Sequence, residues 1–202
     1  MIKQIWFDLG NVLVPIDPAQ TKDAWERCGV QMEENEFEKL HHAYEMGNVS
    51  EAKFLDELTF SCSLLQSNRC VKTGWKALLG DLEDQVLLLK KLGKKYKLAM
   101  VSNTNETHIA ELRKKSGPFL WNRTVEQFDE LFFSFQMGMR KPNKKYFEAV
   151  LEKMGGKPEE VLYIDDCPNN LESAGKLGIK TWQFNTNEGE LGKLTSVLTK
   201  FN

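Results

Sequence analysis

The acidic residue in IWFDLGNVLV (residues 5–14), Asp8, closes an apolar run and is followed at once by the turn-like tripeptide Leu9-Gly10-Asn11. Three more apolar runs end in the same way. YKLAMVSNTN (96–105) exits into Ser102-Asn103-Thr104, ELFFSFQMGMRKP (130–142) into Arg140-Lys141, and VLYIDDCPNN (161–170) into Asp165-Asp166. Taken singly, each exit has a plain explanation, because Asp is common in turns and at helix starts and lysine is common on surfaces. Brought to one place they are chemical equipment. Three carboxylates at one point raise each other's pKa. A divalent cation resolves that repulsion, and hard oxygen ligands with room for water suit Mg²⁺. The Ser102 hydroxyl, the main-chain N–H groups beside it at Asn103, and Lys141 suit the oxygens of a phosphate. Asp8 is then a nucleophile that forms an aspartyl-phosphate, with the metal and Lys141 stabilising the transferring group.

Such convergence needs a parallel sheet, whose strand exits share one edge. From residue 81 onward, apolar strands alternate with helices, which is the pattern of a parallel sheet covered on both faces. The reading gives a helix through Val86, Leu89 and Leu92 ending at Gly93, a strand, and the helix ETHIAELRKK. A strand over 130–142 follows, then a helix opened by Pro142 and running to Met154, a strand at 161–165, a helix ending near Gly178, and a last strand IKTWQF. KQIWFD joins the same sheet. Between it and the rest, residues 17–80 read as helical throughout. Asp17-Pro18 caps a first helix through Trp25, Phe37, Leu40 and Tyr44 mark a second ended by Gly47, Ser50 caps a third, and Val71–Leu79 form a fourth. The expectation is an α/β core of residues 1–16 and 81–202 with a helical insertion at 17–80.

Composition narrows the function classes. The chain has 202 residues, 41% hydrophobic and 28% charged, with net charge −2. That is the profile of a soluble globular protein without an electrostatic footprint for nucleic acid or anionic membranes. No apolar stretch approaches the roughly 20 residues of a membrane helix, and Asp8 interrupts the only N-terminal run that a leader would need. Cys28, Cys62, Cys70 and Cys167 form no CxxC or zinc spacing and read as free thiols of a cytoplasmic protein.

The ordered set FDLGNVLV, VSNT, GMRKP and YIDD resembles the haloacid dehalogenase-like hydrolases, and within them the bacterial sugar-phosphatase branch that includes the glucose-1-phosphate phosphatases. The resemblance covers the whole chain. It implies a Rossmann-like core with an inserted cap, and a Mg²⁺-dependent phosphatase acting on a small phosphorylated metabolite. It further implies Asp8 as nucleophile, Ser102 as phosphate-binding hydroxyl, and Lys141 as the lysine that steadies both. Asp8, the Gly10 carbonyl and Asp166 would be the main metal ligands, with Asp165 in support. One position departs from the family. Its phosphatases carry a second Asp, an acid–base group, where this chain has Gly10. Metal-bound water or Asp17 is the substitute considered for proton transfer.

Other polar residues have weaker claims. His41 and His42 diverge on a helix and read as solvated, whereas His108 lies close enough to a motif to touch the site. Cys167 lacks a histidine to activate it. Trp25, Phe37, Tyr44, Phe54 and Trp75 read as core of the inserted helices, and Glu45 and Asn48 as residues dipping toward substrate. The competing functions are a metal-independent dehalogenase, which leaves Asp165-Asp166 without an electrostatic purpose, and a non-catalytic binding protein.

Overall fold

Strand β1 (Gln4–Phe7) is buried at every residue, as a strand covered on both faces must be. It pairs in parallel with β2 (Lys97–Ser102) on one side and β4 (Val161–Asp165) on the other. β3 (Glu130–Phe133) extends the sheet beyond β2 and β5 (Lys180–Gln183) beyond β4, giving the order β3-β2-β1-β4-β5. The chain therefore builds outward from β1 in one direction and then returns to build in the other. The reversal lies between β1 and β4, where open α/β sheets leave a crevice at their carboxyl edge. This computed structural model describes residues 1–63, 65–185 and 191–201.

Alternation along the strands sorts the core into two faces. Ile5, Phe7, Leu98, Met100, Phe133, Leu162 and Ile164 face one cluster, filled by α5 (Val86–Gly93), α6 (Glu106–Lys115), α7 (Gly117–Val125) and α11 (Leu194–Phe201). Trp6, Ala99, Val101, Phe132, Val161 and Tyr163 face the other, filled by α9 (Lys144–Met154) and α10 (Pro168–Gly175). A third cluster belongs to α1 (Pro18–Cys28), α2 (Glu34–Glu45), α3 (Glu51–Phe60) and α4 (Asn68–Lys76). Its Trp25, Tyr44, Phe54 and Trp75 are buried together, with Trp25 stacked on Trp75 at 5.5 Å and meeting Phe37 edge-on at 5.2 Å. The expected caps are present, since Asp17 accepts from the Ala19 N–H and Ser50 from the Lys53 N–H.

Five details differ from the sequence reading. The run 130–142 is not one strand: β3 stops at Phe133, a single turn α8 (Ser134–Met137) follows, and Gly138 in the left-handed region turns the chain. The Ser134 hydroxyl causes the break by bonding to both the N–H and the carbonyl of Thr104, which bends the chain across β2. The next helix starts at Lys144, capped by Asn143, rather than at Pro142. The fourth helix starts and ends three residues earlier than expected, and α7 and α11 were not anticipated. Finally, Cys28 and Cys70 are not free thiols but form a disulfide between α1 and α4, while Cys62 and Cys167 are free. The thiol reasoning for a reducing compartment therefore does not hold. No helix among the described residues is long and apolar enough to cross a membrane.

Candidate active site

Asp8 leaves β1 with its N–H bonded to the Ile164 carbonyl at 2.9 Å, so the carboxyl edge of β1 is locked to that of β4. Lys141 arrives from the loop after α8 and is 1% exposed. Its Nζ lies 2.8 Å from Asp8 Oδ1, 2.8 Å from Asp165 Oδ2, 2.8 Å from Tyr163 Oη and 3.0 Å from the Val101 carbonyl. An ammonium has three N–H donors, so four acceptors share them and none is left over. Its main chain is held as firmly. Lys141 N–H donates to Asn103 Oδ1 at 2.8 Å, and Asn103 Nδ2 donates to the Lys141 carbonyl at 2.9 Å. The Asn103 carboxamide is thus spent on placing Lys141, which leaves only main-chain groups there for a ligand. Ser102 is buried, and its hydroxyl makes just a 3.4 Å contact to the Asn103 carbonyl.

Asp8, Asp165 and Asp166 each bring one carboxylate oxygen to within 4.8 Å of the others. Burial pushes the Asp8 carboxyl up to about 7; the Lys141 charge opposes this and the Asp165 charge adds to it. Burial also raises Asp166, against a hydrogen bond from Asn11. For Lys141, burial works against the charge, but Asp8 and Asp165 outweigh it and hold the ammonium above its ordinary range. The cluster is therefore a carboxylate group short of positive charge.

The two adjacent carboxylates differ in use. Asp165 is fully buried and accepts from Lys141, from the Cys167 N–H at 2.7 Å, from Asn170 Nδ2 and from the Tyr163 hydroxyl. Asp166 is half-buried, and a hydrogen bond of 2.8 Å from Asn11 Nδ2 orients it. Asn11 itself sits at φ +56°, a left-handed conformation that Asn tolerates better than most residues. Its Oδ1 also accepts from the Ile16 N–H, closing the loop onto itself. Sequence reasoning missed Asn11 and Tyr163. The period-2 rule carried a signal for Tyr163, which lies two residues before Asp165 and so shares its side of β4.

Gly10 follows Asp8 in this loop. A Cβ there would lie 2.6 Å from Ile16 Cδ1 and 3.8 Å from Asp8 Oδ2, so the Ile16 side chain fills the space beside Asp8. Asp17 is engaged elsewhere, its two oxygens accepting from the Ala19 N–H and from Gln20 Nε2 at the exposed start of α1.

The remaining candidates are placed as follows. His108 does not reach the site. It is buried, with Nε2 on the Trp75 carbonyl at 2.9 Å and Nδ1 against Asn105 Nδ2 at 3.1 Å, and it stacks on Trp75. These partners fix a neutral ring that donates from Nε2 and accepts at Nδ1. Burial lowers its pKa to about 4. Because the unfolded chain binds this proton more tightly, the stability it provides is present above about 6.5 and is lost as pH falls toward 4. We expect His108→Gln to flatten the acid limb of the curve of unfolding free energy against pH by up to about 3 kcal/mol. An unchanged limb would place the acid sensitivity elsewhere. His41 and His42 are half-buried and lie near Glu45 and Glu38, and Asn48 is exposed. Glu45 is buried and bonds to Arg140 across the junction between α2 and the Lys141 loop.

Comparison with known proteins identifies the family. A D-ribitol-5-phosphate phosphatase from Bacteroides thetaiotaomicron is 26% identical over 197 residues, 91% of this chain and 92% of the relative. A HAD-family enzyme from the same organism, solved with magnesium and inorganic phosphate, is 32% identical with a TM-score of 0.83 and covers 96% of this chain and 99% of its own. A HAD-like hydrolase from Porphyromonas gingivalis is 27% identical with a TM-score of 0.84, covering 98% of each chain. Residues 2–178 match the model of the haloacid dehalogenase-like hydrolases, and this chain belongs to that family.

Proposed function

We propose that the chain is a Mg²⁺-dependent phosphatase that hydrolyses a small phosphorylated metabolite, a sugar or sugar-alcohol phosphate. In this proposal residues 1–16 and 81–202 form the catalytic core and 17–80 the cap that selects the substrate. The observation that carries it is the Lys141 ammonium held between Asp8 and Asp165, inside a cluster of three carboxylates. The donor set fits Mg²⁺, since it offers hard oxygens with a charge deficit. Asp8, Asp166 and the Gly10 carbonyl would hold the ion, with Asp165 behind them, and it would neutralise charge on the phosphate oxygens.

An Asp8 carboxylate oxygen attacks phosphorus, forming a P–O bond to the protein while the bond to the leaving oxygen breaks. Lys141 keeps Asp8 aimed and offsets charge on the phosphoryl group, and the weakly held Ser102 hydroxyl donates to a phosphate oxygen. Water then attacks phosphorus, releasing phosphate and regenerating Asp8. The leaving alcohol takes one proton and the attacking water gives one up.

The two cations delivered by the strand exits, Lys141 and Arg140, are both paired with carboxylates, Asp8 and Asp165 for one and Glu45 for the other. That favours an uncharged polyhydroxyl leaving group over one bearing a second anionic group. The named activity of the Bacteroides relative points the same way.

A screen of phosphorylated metabolites with and without Mg²⁺, reading free phosphate, tests the proposal. Phosphate release undiminished in chelator would overturn the role given to the metal, and no release from any ester would leave the dehalogenase and binding-protein readings. The paired carboxylates sharpen the test. Asp166→Ala should raise the Mg²⁺ concentration for half-maximal activity by about tenfold or more, with Tm little changed. Asp165→Ala should lower Tm, because it strands Lys141 and Asn170 without their buried acceptor; the cost is about 3–5 kcal/mol. Equal effects of the two on metal dependence would mean that both are direct ligands.

A further inference from the structure

Two polar seams join α1–α4 to the rest of the chain. One runs along α6, where the hydroxyls of Tyr44 and Thr107 are 2.6 Å apart, Thr107 bonds to Glu51, and Lys76 Nζ reaches Glu111 at 2.5 Å. The other is an ion pair next to the site. Arg140 Nε donates to Glu45 Oε2 at 2.8 Å, and the other oxygen of Glu45 lies 3.2 Å from His41 Nε2. The Glu45 side chain is 9% exposed. Buried ion pairs add little net stability compared with apolar residues of similar volume, and what they fix is geometry.

The end of α2 meets the Lys141 loop at a second point. Gly47 lies at φ +70°, and a Cβ there would overlap the Phe135 carbonyl oxygen. So α2 bears on both ends of the stretch 135–140. Arg140 immediately precedes Lys141, whose main chain is in turn clamped to Asn103. Displacing α2 must either break the ion pair or drag Arg140, and Lys141 with it.

We infer that Glu45 and Arg140 are positioning residues, tying the seating of α1–α4 on the rest of the chain to the placement of Lys141 beside Asp8. The catalytic part of this inference rests on the proposed phosphatase reaction. A ligand that draws α1–α4 down would also set the ammonium. Breaking the pair would then loosen α2 and the Lys141 loop together.

The test uses Glu45→Gln, Arg140→Gln, the double variant and Gly47→Ala. Amide hydrogen exchange is followed over residues 41–48 and 138–143, and kcat and KM are measured for p-nitrophenyl phosphate with Mg²⁺. This small ester reports Lys141 placement rather than sugar recognition. Each single variant should speed exchange in both segments and lower kcat about tenfold with KM little changed. The double variant should be no worse than either single one. Gly47→Ala, which opens the seam without touching either charge, should reproduce the kcat loss. Faster exchange in 41–48 alone would overturn the inference, as would a double loss equal to the product of the single losses. If the unaltered protein releases no phosphate from any ester, the phosphatase proposal fails, and the exchange data still decide whether the pair couples the two segments.

Discussion

Asp8→Asn should lower phosphate release by about 10³-fold or more while leaving the protein folded. The amide is nearly isosteric and still offers an oxygen to Lys141 Nζ, which sits 2.8 Å from Asp8 Oδ1. What it loses is the negative oxygen that forms the bond to phosphorus. Stability supplies an independent check. The Asp8 carboxyl is pushed up to about 7 in the folded protein, chiefly by burial, against 3.8 for an ordinary Asp. Its ionised form is therefore disfavoured by folding, and the metal-free protein loses stability as pH rises from about 4 through about 7. An uncharged amide avoids that loss. Metal-free Asp8→Asn should accordingly melt at or above the wild-type temperature at pH 8, while the two converge near pH 4. Near-wild-type turnover by the variant would reduce Asp8 to a turn residue. A variant that melts well below wild type at pH 8 would show that the carboxylate pairs with Lys141 more favourably than burial penalises it.

The convergence of Asp8, Lys141 and Asp165-Asp166 was legible because it follows from one topological fact, that parallel strands share their exit edge. Residue type and strand order sufficed. Partners set by register and loop shape were not legible. Asn11 matters because a left-handed turn aims its amide at Asp166, 155 residues away, and nothing in DLGN announces that. Likewise, Asn103 looked like part of a phosphate loop, but its side chain is consumed by the main chain of Lys141. The run 130–142 read as one strand because Phe135, Met137 and Met139 continue its apolar character. A hydrogen bond from Ser134 to Thr104 ends it, and tertiary bonds of that kind leave no periodicity to detect. The Cys28–Cys70 disulfide depends in the same way on the packing of α1 against α4, which no spacing rule encodes. His108 was drawn toward the site by its nearness in sequence, whereas the helix turns it toward Trp75.

Restoring a carboxylate at position 10 should change which esters are hydrolysed, but only if Ile16 makes room. A Cβ on Gly10 would come 2.6 Å from Ile16 Cδ1 and 3.5 Å from Cγ1, while the Gly10 backbone itself lies outside the left-handed region. Space, not backbone conformation, is therefore the obstacle. Without an acid there, an alkoxide must leave with little help, and general acid assistance amounts to about 10²- to 10⁴-fold in rate. The handicap grows with the basicity of the leaving oxygen. A primary 6-phosphate suffers most, an anomeric 1-phosphate less and an aryl phosphate least, so the wild-type protein should prefer the 1-phosphate of a given sugar to its 6-phosphate. Gly10→Asp alone should alter that ratio little, because the new side chain displaces Ile16 into the loop that holds Asn11 and Asp166. Gly10→Asp with Ile16→Ala should raise kcat/KM for the 6-phosphate and shrink the 1- to 6-phosphate ratio by about tenfold or more. The measurement is kcat/KM for both esters in the three proteins. An unchanged ratio in the double variant, with Mg²⁺ affinity intact, would mean that a group already in the site protonates the leaving oxygen.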